Sequence, residues 1–374
     1  MKPSYIVLFL AGIGIQISCA QDNPPFIETP TEINYTYEVV VDSIDIPWGM
    51  DFISETELLV TEKSGILYSV SDGIKTVIEG LPEVYVRGQG GLLDVALHPE
   101  FSTNKILYFT LSQHIGEDVP GGNTALYSAV LEGNKLNEVK QLYRAFPNTK
   151  KGQHWGSRIV FDKTGHLYFA IGDRGNRDVN PQDLSRDGGK IYRLNLDGSI
   201  PEDNPFVSET NAKKAIYSYG HRNTQAMIIH PETGAVWEAE HGPKGGDEIN
   251  IVKKGKNYGW PVITYGINYS GTPITDKRVM EGMEQPLYYW VPSIAPSGMA
   301  FSSSGIYKDW QGDLFVGSLK FEYLERLVIE NNKVVKREKI LDKIGRVRNV
   351  EEGPDGYLYV GVEGKGILKI IPTK

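Results

Sequence analysis

One short pattern recurs six times along the chain: a small or polar residue, an apolar strand, a turn often carrying Pro, Asp or Gly, then a second apolar-aromatic strand. The copies are Gly49-Met50-Asp51-Phe52 with Leu58-Leu59-Val60, Gly91 to His98 with Ile106 to Phe109, and Ser157 to Phe161 with Leu167 to Ile171. They continue as Gln225 to His230 with Val236-Trp237, Ser297 to Phe301 with Leu314 to Val316, and Asn349-Val350 with Tyr357 to Val360. The strands are short, rich in Val, Ile, Leu, Tyr and Phe, and bounded by turn signals such as Asp162-Lys163-Thr164-Gly165 and Pro354-Asp355-Gly356. Long helical periodicity is absent. A β-sandwich also has many short strands, but similar units of unequal spacing fit propeller blades with variable loops better. The expectation is an all-β, six-bladed β-propeller of four-stranded antiparallel blades over residues 34–374. The segment Tyr35 to Ile46 alternates apolar and polar residues without a partner of its own, and is expected to complete the last blade beside Ile367 to Ile371.

Ahead of the repeats, residues 1–20 read as an export signal: Lys2 gives positive charge, Tyr5 to Ile17 form an apolar run too short for a comfortable membrane span, and Ser18-Cys19-Ala20 are small. Two processing routes stay open, cleavage after Ala20 or lipidation of Cys19 as a bacterial anchor. The chain is thus expected to be exported, periplasmic or secreted. Residues 21–33, with Pro24, Pro25 and Pro30, look like a flexible leader. Cys19 is the only cysteine, so cleavage after Ala20 leaves neither a disulfide nor a thiol. A net charge of -8 speaks against a nucleic-acid partner, which needs a basic surface.

Equivalent positions of successive blades form rings around a propeller's channel, so residues far apart in sequence converge at one end. Just before the first strand of each copy lie Trp48, Gln89, His154, Arg222-Asn223, Ser297 and Arg346 to Arg348. Gln89 sits among Gly88, Gly90 and Gly91, where the backbone can approach a flat ligand closely. His154 at a channel mouth can act as a base, or be a hydrogen-bonded structural histidine. Arg222 puts a permanent cation beside the Asn223 amide, and Arg346 and Arg348 lie two apart on an extended segment; with Lys320 they would converge on a multiply anionic ligand. Glu240 to Asn250 combines acidic side chains with Gly-rich backbone able to turn carbonyls inward, a hard oxygen set that suits Ca²⁺. Zinc-type His/Cys spacing is absent.

This ensemble resembles the soluble pyrroloquinoline quinone (PQQ)-dependent glucose dehydrogenase and aldose sugar dehydrogenase family across nearly all of residues 35–372. The resemblance rests on the Gln89 loop, His154-Trp155-Gly156-Ser157-Arg158, Arg222-Asn223, Gly242-Pro243 to Glu248 with Tyr258, and Arg346-Val347-Arg348. It implies that His154 is the general base and that Gln89, Arg222, Asn223, Tyr269, Lys320, Arg346 and Arg348 contact PQQ. It further implies that main-chain oxygens of Gly242 and Pro243 bind the calcium that touches PQQ, with Glu248 and Tyr258 in a structural calcium site. The implied substrate is an aldose sugar, oxidised to the lactone, with electrons passed to an external quinone or cytochrome acceptor. Two other classes compete: a calcium-dependent lactonase, which would not need the cations Lys320, Arg346 and Arg348, and a non-catalytic binding propeller, which would be expected to lose the base or the cation set. Residues 271–284 are where substrate-shaping insertions would lie.

Overall fold

The computed structural model describes residues 34–116 and 120–373; the expected signal and leader lie outside the described residues. Six four-stranded antiparallel sheets follow one another around a channel. Blade one runs through Pro47–Phe52, Glu57–Glu62, Ile66–Ser71 and Ile74–Ile78, and blade two through Leu92–Leu97, Ile106–Gln113, Asn123–Glu132 and Lys135–Arg144. Blade three comprises Ile159–Phe161, His166–Ile171, Lys190–Asn195 and Ile216–Tyr219; blade four Thr224–Ile229, Val236–Glu240, Asp247–Ile251 and Tyr288–Trp290. Blade five comprises Pro296–Phe301, Leu314–Ser318, Tyr323–Glu330 and Lys333–Ile340. Blade six joins Val347–Glu352, Leu358–Val362 and Gly366–Thr373 to the chain's first described strand, Asn34–Val41, which pairs Tyr37 with Ile370 and Val39 with Leu368. The closing strand falls beside the last blade as the alternation predicts, but it ends at Val41, short of the expected Ile46.

The packing explains the strand sequences. Each blade's second strand is covered on both faces by its neighbours, so Leu314–Ser318 and Leu358–Val362 read as nearly unbroken apolar runs buried throughout, whereas Val236–Glu240 is equally buried yet carries Glu238 and Glu240. Separate clusters of buried apolar side chains fill the interfaces between neighbouring blades, such as Leu59, Leu107 and Phe109 between blades one and two, and Phe315, Leu324, Val350 and Val360 between five and six. Burying each such side chain contributes about 1.5–3 kcal/mol.

The repeat maps the ring with one adjustment. Trp48 and Ser297 stand inside their first strands and are buried, Trp48 in a small cluster with Leu93 and Trp155. They form packing beneath the rim. Arg158 crosses the channel there, donating Nε to the Gln225 carbonyl at 2.7 Å, Nη1 to Asp94 at 2.9 Å and Nη2 to the Arg348 carbonyl at 3.0 Å, with Trp48's ring 4.3 Å away. It lines a cavity of about 370 Å³ with Asp51 and Glu351, while Gln225, Arg348 and Trp48 face the cavity at the other end.

Candidate active site

That other end opens into a cavity of about 760 Å³ whose lining includes Gln89, Pro243, Tyr269, Lys320, Arg346 and Arg348. Blades two, four, five and six and their loops thus bring six of the expected residues together. Lys63 and Lys244 join them, so five cations face the space and Glu363 is its one carboxylate. Glu363 accepts Arg346 Nε at 2.6 Å and Arg348 Nη2 at 2.5 Å, fixing both guanidinium groups from behind. Burial would raise the Glu363 carboxyl, but the two arginines, Arg348 foremost, hold it below the usual range. Arg346 also donates to the Leu319 carbonyl at 3.0 Å, next to Lys320. Tyr269 stands 74% exposed, so it belongs to the lip of the cavity.

His154 is held from both sides. Its ring Nδ1 lies 2.6 Å from Asp173 Oδ1, with the His154 side chain 14% and Asp173 1% exposed. Asp173 also accepts the Gly175 N–H at 2.7 Å and the Trp260 indole N–H at 2.9 Å. Although burial opposes ionisation, the bonds from His154 and Trp260 and the charge of Arg222 hold Asp173 below the usual carboxylate range. A carboxylate can only accept, so Nδ1 carries the hydrogen and Nε2 is left with a lone pair. Burial, then the nearby Arg222 charge, lowers the His154 pKa, keeping the imidazole neutral at neutral pH. Its main chain has φ of 58°, in the left-handed region, and its N–H is received by Gln89 Oε1 at 2.8 Å. Gln89 therefore positions the histidine and has its amide nitrogen left for a ligand.

The glycines act differently from the expectation at Gln89. A Cβ on Gly91 would meet the Lys63 carbonyl at 1.8 Å, and one on Gly90 the Trp155 ring at 2.6 Å. These close approaches are between parts of the chain. Gly172, between the strand end at Ile171 and Asp173, serves the same purpose: a Cβ there would strike the His154 carbonyl at 2.4 Å and Asn223 Oδ1 at 2.7 Å.

Arg222 and Asn223 lie just behind the mouth, both buried. Arg222 Nη1 donates to the carbonyls of His241 at 2.8 Å and Gly242 at 2.9 Å, and its guanidinium is 5.4 Å from the Trp260 ring. Asn223 Oδ1 accepts the Gly156 N–H at 3.2 Å, and its Nδ2 has no partner among the described residues. The Gly242 oxygen assigned to calcium is thus shared with Arg222, which leaves it one lone pair. Gly242, Glu240, Glu248 and Tyr258 surround a void of about 10 Å³, and Pro243 faces the large cavity instead. Such a void has room for one ion or water. Burial and the neighbouring Glu240 carboxylate push Glu248 well above the usual range, the condition a cation would relieve. The Tyr258 hydroxyl donates to the Ile251 carbonyl at 2.6 Å and accepts the Lys253 N–H at 2.8 Å, so it is engaged with that turn, and the main-chain oxygen is the ligand Tyr258 would offer an ion.

Asp173, Glu363, Trp260, Lys63 and Lys244 carry part of this site and are missed by the motif reading. The turn Gly172-Asp173-Arg174-Gly175, an acid among glycines right after the strand His166–Ile171, is the signal that would have found the first of them.

A closed propeller with a carboxylate-oriented histidine beside a basic cavity is a site equipped to take a proton next to a bound anionic group. The sequence profile of the glucose/sorbosone dehydrogenase family matches residues 44–369, and the chain belongs to that family. It is 41% identical over 352 residues, 92% of this chain and 94% of the relative, to aldose sugar dehydrogenase YliI of Escherichia coli (strain K12). It is 31% identical over 418 aligned positions, 89% of this chain and 86% of the relative, to quinoprotein glucose dehydrogenase B of Acinetobacter calcoaceticus. The PQQ-bound structure of aldose sugar dehydrogenase from Streptomyces coelicolor superposes with a TM-score of 0.74 at 25% identity, covering 94% of this chain and 100% of that one.

Proposed function

We propose that this protein oxidises aldose sugars at C1 to the lactone, with PQQ in the basic mouth and calcium at the Gly242–Pro243 turn, and passes the electrons to an external acceptor. The observation that carries the reading is the five-cation cavity beside a histidine whose Nδ1 is committed to Asp173. Lys320, Arg346 and Arg348, with Gln89, Arg222 and Asn223 behind them, would hold the quinone and its carboxylates, and Tyr269 would cover its edge. Bound there, the quinone would supply a hydride acceptor and the calcium a Lewis acid beside it. His154 Nε2 takes the C1 hydroxyl proton as the C1 hydrogen leaves, and Asp173 stabilises the imidazolium that forms. The proton then returns to solvent through the open mouth. Glu248 with the Tyr258 carbonyl would hold a structural calcium.

Support also comes from the named activities of the relatives, which are sugar oxidations, and from the quinone held by one of them. Purified protein stripped of cofactor and metal should show dye reduction with aldoses only after both PQQ and Ca²⁺ are added. Turnover with NAD alone, or without PQQ, overturns the reading. Export belongs to the same proposal, and the mass of the mature N-terminus separates cleavage after Ala20 from lipidated Cys19.

A further inference from the structure

A second group of ligating side chains stands behind the Arg222–Asn223 corner and takes no part in the proton transfer above. His221, Glu238 and Glu240 are each at most 4% exposed, and one ligand atom of each lies within 4.8 Å of the others. Glu238 and Glu240 are two apart on the strand Val236–Glu240, so they point to one face. His221 enters from the turn before blade four. Its Nε2 is tied to Ser218 Oγ at 2.9 Å and its ring stacks on Tyr258 at 4.5 Å, which leaves Nδ1 facing the carboxylates. Nδ1 is 3.4 Å from Glu238 Oε1 and 3.9 Å from Glu240 Oε1. Two ligands each about 2.0–2.2 Å from a common ion are separated by roughly this much.

The hydrogen-bond inventory points the same way. Among the described residues His221 Nδ1 is buried with no hydrogen-bond partner, and the amide nitrogen of Asn250 donates to Glu238 Oε1 at 2.8 Å, holding that carboxylate in place. Buried polar atoms are nearly always paired, so an unbonded imidazole nitrogen facing two buried carboxylates calls for an atom placed among them. Two carboxylates balance the charge of a divalent ion, and an imidazole nitrogen beside them favours the Zn²⁺ and Mn²⁺ class over Ca²⁺, which takes oxygen ligands.

We propose that His221, Glu238 and Glu240 hold a divalent transition-metal ion with a structural role. The other oxygen of Glu240 accepts the main-chain N–H of Arg222 at 2.5 Å and of Asn223 at 3.3 Å, so the ion fixes the corner that presents this pair to the mouth. The site adjoins the calcium position at Glu248: Glu240 borders both, facing Glu248 across the strand pair, while His221 and Glu238 belong to this site alone, and the assignment does not depend on the quinone reading.

The full protein, stripped by chelation and held in excess Ca²⁺ so that oxygen-only sites are filled, is titrated with Co²⁺ alone. The expected result is one equivalent bound, with the visible bands of an imidazole-ligated ion, and a Glu238→Gln variant that binds about tenfold or more weakly. Crystals of the unaltered protein grown with Mn²⁺ should give an anomalous peak at bonding distance from His221 Nδ1, a result that does not depend on the variant folding. Failure to bind Co²⁺ in excess Ca²⁺, wild-type Co²⁺ affinity in folded Glu238→Gln, or a peak between Glu240 and Glu248 remote from His221 overturns the assignment.

Discussion

Asp173→Asn removes a charge while keeping the side chain's shape, and its effect can be worked out from the hydrogen bonds Asp173 accepts. Oδ1 receives His154 Nδ1 at 2.6 Å and Gly175 N at 2.7 Å, and Oδ2 receives Trp260 Nε1 at 2.9 Å. An amide offers one oxygen, so its NH₂ must face either the indole N–H or the His154 and Gly175 donors. Turned toward the indole, it sets two donors against each other. Turned toward His154, it forces Nδ1 to accept, which moves the ring hydrogen to Nε2 and removes the lone pair that would take the substrate proton. Losing a correctly prepared base costs about 10² to 10⁴ in rate, or about 2.7 to 5.5 kcal/mol at about 1.36 kcal/mol per decade. Breaking a hydrogen bond to a charged group costs about 1.5–3 kcal/mol of stability, small enough for the variant to fold. The assay is single-turnover quinone reduction by an aldose at saturating PQQ and Ca²⁺, with PQQ affinity and Tm measured on the same preparation. The expected result is a rate lower by about two to four decades with PQQ affinity unchanged. Wild-type rates in a folded Asp173→Asn protein, or a defect confined to PQQ binding, would refute the orientation argument.

Other outcomes follow from the same geometry. His154→Ala should lose about 10² to 10⁴ in turnover yet still titrate with PQQ, whereas Arg348→Ala should weaken PQQ binding by about ten- to hundredfold through loss of a charge-assisted contact; the reverse pattern exchanges their roles. Because burial and Arg222 lower the His154 pKa from its ordinary 6.5, kcat/KM should stay level from neutral to mildly acidic pH and fall only as pH drops through the lowered value, when the base becomes protonated. An acid limb centred above 6.5 would contradict this. Deleting residues 34–46 should abolish soluble expression, since it exposes the edge of Gly366–Thr373; a stable truncated monomer would show that closure is dispensable.

The parts legible in the sequence were those written in a local period. The paired inner strands of every blade and the closing strand announce themselves through apolar runs or alternation, because burial fixes the residue type there. Outer strands did not. Lys135–Arg144 is largely exposed and charged, so nothing in its composition demands a strand; pairing with Asn123–Glu132 creates it. Gln89, Arg346 and Arg348 were readable as a rim set because the repeat places them, but Asp173 is tied to His154 across 19 residues and Glu363 to Arg346 across 17. Such pairings belong to the folded ring, where separate turns meet. Arg222 shows the converse limit: its charge was plain, but its commitment to the His241 and Gly242 carbonyls depends on the conformation of the following blade.

The clasp in blade six bears on how the molecule comes into being. Strands of the first five blades find their partners within a short stretch of chain, so they can pair as the polypeptide emerges. Asn34 has to wait for Thr373, its opposite number in the register. Contacts of such sequence separation form late and slowly. The mouth is completed on the same schedule, because Arg346, Arg348 and Glu363 all belong to this last blade or its turns. A chain stalled one blade short would carry the histidine and lack the anion clamp. Cofactor capture is thus a natural reporter of finished synthesis.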